Sequence, residues 1–209
     1  MKEDKCKICR RLNQKLFLKG EKCLSPHCPF IKRPFPPGPK KKRRRFRQSE
    51  YGKELFEKQK LRNYYGLTER QFSRYVKEVL GKRGKVEDAA LLLIKKLESR
   101  LDNVVFKMGL AKSRKESRQI VSHNHVLVNG QPVNIPSFVL KKGSKIELKK
   151  QKKDKVLFKD LMISMKSYQP PQWLKVDKKN LSSEITGQPT LDEVGVPVDI
   201  ASIFEFYSR

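Results

Sequence analysis

The chain has no cysteine after position 28, and acidic residues are scarce along its whole length. Twenty-two Asp and Glu face 49 Lys and Arg, for a formal net charge of +27. Such an excess of one sign on a folded chain implies a polyanionic partner. Nucleic acid is the first candidate and a membrane surface the second. Long apolar runs are also missing. The longest, Ala89 to Ile94, has six residues, against about 20 for a membrane-spanning helix. The opening "MKEDK" carries two acids and no apolar stretch, so neither a signal peptide nor a transit peptide is expected. A reducing cytoplasm is the expected compartment. Histidine occurs three times. No GxxxxGK[ST], GxGxxG, HExxH or nucleophile elbow is present, which weighs against an enzyme. His123 and His125 stand where a helix should give way to a strand, and local hydrogen bonds account for them better than catalysis does.

All four cysteines therefore fall in one short opening segment. Cys6, Cys9, Cys23 and Cys28 are spaced C-x2-C, thirteen residues, C-x4-C. Disulfides do not suit a reducing compartment. The spacing is close to that of paired zinc knuckles, in which each short pair turns back to offer two thiolates to one tetrahedral ion. His27 is a rival ligand, but it adjoins Cys28. An iron–sulfur cluster would use the same thiols and is the less favoured cofactor; buried or free thiols are the plain alternative. A closed zinc site would do no chemistry and would hold together a segment too polar to build its own core.

Ile31 to Arg47 follows with nine bases and no acid. Pro34, Pro36, Pro37 and Pro39 exclude a helix there. Lys41, Lys42, Arg43, Arg44 and Arg45 read as charge laid along phosphates, with a solvated linker as the bland alternative. Phe35 and Phe46 bracket the run and are suited either to stacking on bases or to packing. From Gln48 the pattern is helical, with Tyr51, Leu55, Phe56 and Leu61 as an apolar stripe and Gly66 as its end. Thr68 and Gln71 form a capping box ahead of a second helix, buried through Phe72, Tyr75, Val76, Val79 and Leu80. Arg70 and Arg74 share its other face. Tyr64 and Tyr65 are suited equally to stacking on RNA and to a core.

Asp88 introduces a helical stretch that runs on to Gly109, with Leu97, Leu101, Val104, Val105 and Met108 inward. Ser113 and Glu116 form a second capping box. It opens a short helix with Arg114, Lys115 and Arg118 outward and Ile120 and Val121 inward. The period then changes to two. "HVLVNGQPVNI" is a hairpin around Asn129-Gly130, and "SFVLKKGSKIEL" offers a second strand pair around Lys142-Gly143.

"ESRLDNVVFKMGLAKSRKESRQIVSHNHVLVNGQPVNIPSFVLKKGSKIEL", 98–148, resembles the small RNA-binding module shared by a universal small-subunit ribosomal protein, pseudouridine synthases and tyrosyl-tRNA synthetases. "LFLKGEKCLSPHCPF", "RPFPPG", "EKQKLRNYYGLTERQF" and the closing "EFYSR" resemble the ribosomal family itself, that of the fourth small-subunit protein. Some members of that family carry four cysteines at the amino end and others have lost them. Two stretches depart from the pattern: Pro39 to Arg45 replaces a glycine-containing turn, and 154–190 matches only loosely. Trp173, Leu174 and Val176 in that second stretch read as packing residues.

The resemblance implies an α+β fold with three parts. These are a zinc knuckle with a basic arm over 1–47, a helical domain from both chain ends (48–96 with 182–209), and an inserted RNA-binding domain over 97–181. The core of the inserted domain, 98–148, would pack two helices on a curled antiparallel sheet. It further implies a structural constituent of the small ribosomal subunit that binds small-subunit rRNA and acts early in assembly. Such a protein lies beside the messenger's path into the subunit, where it affects accuracy, and in some bacteria represses its own messenger. Messenger RNA and neighbouring ribosomal proteins, the fifth among them, are further partners. Lys41 to Arg45, Arg62, Arg70, Arg74, Arg100, Lys112, Arg114, Lys115 and Arg118 are the expected RNA contacts. Residues 180–209 hold five acids and one base, either as a solvated helix or as a face toward proteins. An RNA-modifying enzyme using the same module would need a separate catalytic domain, for which no length remains. A zinc-dependent DNA-binding regulator would need a recognition helix where the prolines stand.

Overall fold

The computed structural model describes residues 4–38, 49–82, 88–149, 165, 168–196 and 198–209. The chain divides into two compact units, one of 1–90 with 196–209 and the other of 91–195. The first contains α1 (Lys5–Arg11), α2 (Glu21–Leu24), α3 (Pro29–Lys32), α4 (Glu50–Tyr64) and α5 (Glu69–Leu80). Helix α6 (Ala89–Glu98) spans the division. The second continues with α7 (Leu101–Lys107), α8 (Arg114–Ser122), β1 (Val126–Val128), β2 (Gln131–Pro132), β3 (Lys145–Leu148), β4 (Leu174–Asp177), β5 (Ser182–Ile185) and α9 (Leu191–Val194). The final helix, α10 (Ile200–Ser208), belongs to the first unit. Lys41 to Arg45 and Phe46 lie outside the described residues.

In the first unit α10 packs on α4 and α5. Its Ile203 and Phe204 are buried, as are Phe72, Tyr75, Val76 and Val79 of α5. Each such side chain contributes roughly 1.5–3 kcal/mol by leaving water. Ser49 caps α4, its Oγ accepting from the Gly52 amide at 3.2 Å. Thr68 caps α5 in the same way, accepting from the Gln71 amide at 3.3 Å.

Helix α4 departs from the expected stripe. Tyr51 is exposed, while Glu54 and Lys58 are buried beside Leu61. Charged side chains can occupy an inward face because each meets an opposite charge. Arg209 Nη2 reaches Glu54 Oε1 at 2.6 Å, and Lys58 Nζ reaches Glu69 Oε1 at 2.8 Å. On another face of α4, Phe56 and Tyr64 pack against Cys9, Leu12 and Leu16. The cysteine segment thus does have a small core, shared with α4.

In the second unit the expected run of helix to Gly109 is broken at Ser99-Arg100. Arg100 has extended backbone (φ −71°, ψ 137°) and precedes α7 as its cap residue. Pro136 and the stretch 137–140, expected as a strand, take up the freed groups. Leu101 and Asp102 amides donate to the Phe138 and Pro136 carbonyls, and the Leu140 amide donates to Ser99 O. Val139 forms only an isolated bridge with Arg100, so β3 alone survives of the second strand pair. The hairpin forms as expected, with Asn129 and Gly130 both at positive φ (50° and 80°) in the turn that suits a two-residue loop.

The antiparallel sheet runs β2-β1-β3-β5-β4. Strand β5, placed by expectation with the terminal helices, pairs instead with β3 and β4. The expected boundary at 181/182 is corrected accordingly, and the second unit extends to Gly195. Alternation in β3 and β5 explains this, since Ile146, Leu148 and Ile185 are buried in the same cluster as Val104, Val105, Ile120, Val121 and Trp173. Among the described residues, no helix is long and apolar enough to cross a membrane.

Candidate RNA-binding surface and cysteine cluster

Helix α8 begins at Ser113, whose Oγ accepts from the Glu116 amide at 3.4 Å. The reciprocal half of the expected capping box is replaced. Glu116 Oε2 accepts from the Lys112 amide at 2.7 Å, one residue earlier. This arrangement leaves Lys112 and Lys115 exposed and Arg114 and Arg118 half-buried. The two arginines are not loose charges. Arg118 donates from Nε (3.0 Å) and Nη2 (2.8 Å) to Asp102 Oδ2. Arg114 donates from Nε to Asn103 Oδ1 at 2.9 Å and lies over the Phe106 ring at 4.7 Å. Asn103 is itself fixed by Glu98, through Nδ2 to the Glu98 carbonyl at 3.2 Å and to its Oε2 at 2.7 Å.

Arg100 corrects an expectation. It is 2% exposed and grips Asp102 through Nε (3.0 Å) and Nη2 (2.8 Å), so it is an internal ion-pair partner and not a surface contact. The break between α6 and α7 is what turns it inward. Arg62 is likewise engaged, with Nη1 donating to Glu69 Oε2 at 2.8 Å. Arg70 and Arg74 are exposed on α5, and Arg74 approaches Glu78 only at 3.9 Å. Tyr65 is 2% exposed and belongs to the core, with Tyr64 packed edge-on to it at 5.2 Å. Sequence reasoning missed Glu98, Asp102 and Asn103. The signal was present in "ESRLDN", where two acids stand beside an arginine at the start of a buried stripe.

The four cysteines come from three short helices. Cys6 and Cys9 lie on α1, Cys23 on α2, and Cys28 is the cap of α3. All four line one cavity with Lys5, Lys15, Leu18, Lys19 and Phe30, while His27 is exposed and outside it. The Lys19 amide donates to Cys23 Sγ at 3.3 Å. Asp4 ties the segment's start, and the Cys6 amide and Lys19 ammonium hold its carboxyl below its usual range. Burial pushes the Cys9 thiol up, and the three other thiols push the same way against a hydrogen bond from the Leu16 amide. All four thiols are unbridged. Among the described residues no three Cys, His, Asp or Glu side chains are drawn close enough to hold a metal ion as they stand. The donor chemistry fits a soft divalent cation, since four sulfurs lining one cavity can bind as thiolates around a positive charge.

Residues 1–98 match the family described as ribosomal protein S4/S9 N-terminal domain, and residues 99–146 match the S4 domain. The small ribosomal subunit protein uS4 of Kosmotoga olearia is 45% identical over 204 residues, covering 98% of this chain and 96% of the relative. The chain belongs to the ribosomal protein S4 family. The uS4 proteins of Natranaerobius thermophilus and Thermotoga petrophila are 42% and 43% identical with the same coverage. The S4 domain as matched spans α7, α8 and the β1–β2 hairpin and ends within β3. Arg100, Asp102, Asn103, Arg114 and Arg118 all lie inside it, and Arg62, Arg70 and Arg74 lie inside the N-terminal match. Strands β4 and β5 extend the S4-domain sheet with residues beyond the matched range.

Proposed function

We propose that this chain is a structural constituent of the small ribosomal subunit and binds small-subunit rRNA directly. The observation that carries the reading is identity of 42–45% with proteins named small ribosomal subunit protein uS4, over 98% of this chain. The two basic surfaces suit that role. Arg114, Lys115 and Arg118 on α8, with Lys112 just before its cap, form one, and Arg70 and Arg74 on α5 form the other. Both supply phosphate contacts, with affinity from counterion release and selectivity from the shape of a folded RNA. The basic segment Lys41 to Arg45 adds to the same electrostatic term. Binding, rather than catalysis, is the chemistry such surfaces perform. Early action in subunit assembly, an effect on accuracy beside the messenger, neighbouring ribosomal proteins as partners and a cytoplasmic location follow from the same reading.

Cys6, Cys9, Cys23 and Cys28 would hold one structural zinc ion, with an iron–sulfur cluster the less favoured occupant. A bound zinc supplies charge and a tetrahedral crosslink and no reaction. The chain's own residues contribute the cavity, the Lys19 amide on Cys23 and the apolar support of Leu12, Leu16 and Phe56.

Filter binding of the full chain to small-subunit rRNA, large-subunit rRNA and duplex DNA tests the reading. Preference for the first is expected, with log affinity falling linearly in log salt at about −0.7 to −0.9 per phosphate contact. Equal affinity for all three at physiological salt would overturn it.

A further inference from the structure

Asp102 is a buried acid, 3% exposed, in a protein whose partner repels acids. One arginine would neutralise it, and Arg100 already grips both carboxylate oxygens. A second guanidinium nonetheless converges on the same Oδ2 from α8, sixteen residues along the chain. That second arginine, Arg118, has a side chain one-third exposed (33%), whereas that of Arg100 is at 3%. One turn earlier on α8 the pattern recurs, with the buried Glu98 fixing Asn103 and Asn103 fixing Arg114. Resting on the rRNA-binding reading, we propose that Asp102 and Asn103 are positioning residues. They fix the planes of Arg118 and Arg114 on α8 before RNA arrives, so that the two arginines meet backbone phosphates as preset forks.

The physical ground is the geometry of the guanidinium. Its donors lie in one rigid plane, and a hydrogen-bonded Nε–Nη2 edge fixes that plane through the last side-chain torsions. A loose exposed arginine must lose that freedom on binding, which weakens association by roughly three- to tenfold per immobilised side chain. Arg118 has lost it already. Asp102 in turn is shielded, since Arg100, Arg118 and Asp102 sum to one positive charge. Its position in the first turn of α7 also favours an anion. A purely electrostatic role predicts the opposite sign, because deleting a negative charge near RNA should tighten binding.

The test uses the full chain and a small-subunit rRNA fragment that the wild type binds. Asp102→Asn should bind roughly three- to tenfold more weakly, with the slope of log affinity against log salt unchanged. On an Arg118→Ala background, which keeps the Arg100–Asp102 pair, Asp102→Asn should produce no further loss. Tighter binding by Asp102→Asn, or an equal loss in both backgrounds, would overturn the proposal. Asp102→Asn leaves Arg100 without its buried anion and can fail to fold, so a second readout is taken on the wild type alone. Nitrogen relaxation of the arginine Nε–H groups in the RNA-free protein should show Arg118 and Arg114 rigid and Arg70 mobile. Arg118 as mobile as Arg70 would sink the idea whatever the variants do. Unchanged binding by Asp102→Asn beside a wild type that selects small-subunit rRNA removes this inference alone. A wild type without that selectivity removes the functional reading as well.

Discussion

Replacing Glu69 with Gln removes one charge from the point where the last helix meets the first unit's core. Glu69 Oε1 accepts from Lys58 Nζ and Tyr207 Oη, both at 2.8 Å, and Oε2 accepts from Arg62 at 2.8 Å. Lys58 is 7% exposed, so its ammonium would be left with a neutral amide oxygen in place of the carboxylate, beside the rings of Phe206 at 4.3 Å and Tyr207 at 5.7 Å. Losing one partner of a fully buried pair costs about 3–5 kcal/mol. The Glu69 side chain is 45% exposed, which reduces that figure, and the cation–ring contact recovers about 1 kcal/mol. The expected destabilisation is about 2 kcal/mol, or about 10 °C in the melting of a domain of this size.

The pH dependence carries a sign. Burial acts to raise the Glu69 pKa, but hydrogen bonds from Lys58, Tyr207 and Arg62 together hold it below its ordinary range. A depressed folded pKa stabilises above the unfolded value, about 4.3, and that stability is lost as pH falls through the folded one. The gap between wild type and Glu69→Gln should therefore be full at pH 7 and close in acid. Far-UV circular dichroism follows the helices of both units, while Trp173, the single tryptophan, reports the second unit alone. Loss of a helical transition with the Trp173 transition unmoved is the expected result. Identical melting at pH 7, or a gap that persists unchanged in acid, would refute the reasoning.

In alkali, burial and the Glu69 contact keep Tyr207 protonated far above its ordinary range. The unfolded phenol ionises near pH 10, so first-unit stability should fall above about pH 10. Tyr207→Phe should lack that component of the decline in pH-dependent melts. Protein purified under reducing conditions should carry about one zinc per chain by elemental analysis. Cys9→Ser should lose the ion and loosen the first 30 or so residues in hydrogen exchange, with β1 and β3 still protected; a metal-free wild type would reject the site. Gly109 ends α7 at φ +84°, where an added Cβ would stand 3.0 Å from Tyr168 Cδ1. Gly109→Ala should destabilise the second unit by about 2–4 kcal/mol, read by Trp173 fluorescence in urea. The double replacement of Arg114 and Arg118 by Ala should lower the salt slope by about 1 to 2 and keep α8 folded.

Local features of this protein were legible in the sequence because their causes are local. Asn129-Gly130 dictates its hairpin turn by tolerance of positive φ, and Ser49, Thr68 and Ser113 stand where helix amides need an acceptor. The spacing of Phe72, Tyr75, Val76 and Val79 marks a buried face from the helical period alone, and net charge points to a polyanion without reference to any fold. The four cysteines announce one cluster by their spacing.

What depended on distant residues could not be read this way. Glu54 and Lys58 look like solvated positions until Arg209 and Glu69 arrive to neutralise them. The stretch 89–108 reads as continuous helix, since nothing within it reveals that carbonyls of 136–138 will receive the amides of Leu101 and Asp102. That break buries Arg100 and gives Asp102 two arginine partners, turning apparent surface charges into a braced array. Strand β5 joins the sheet because Ile185 completes a core that reaches back through Trp173 and Leu148 to Leu101, 84 residues earlier. Periodicity records which side chains seek burial or charge; only the folded chain decides which of them find each other.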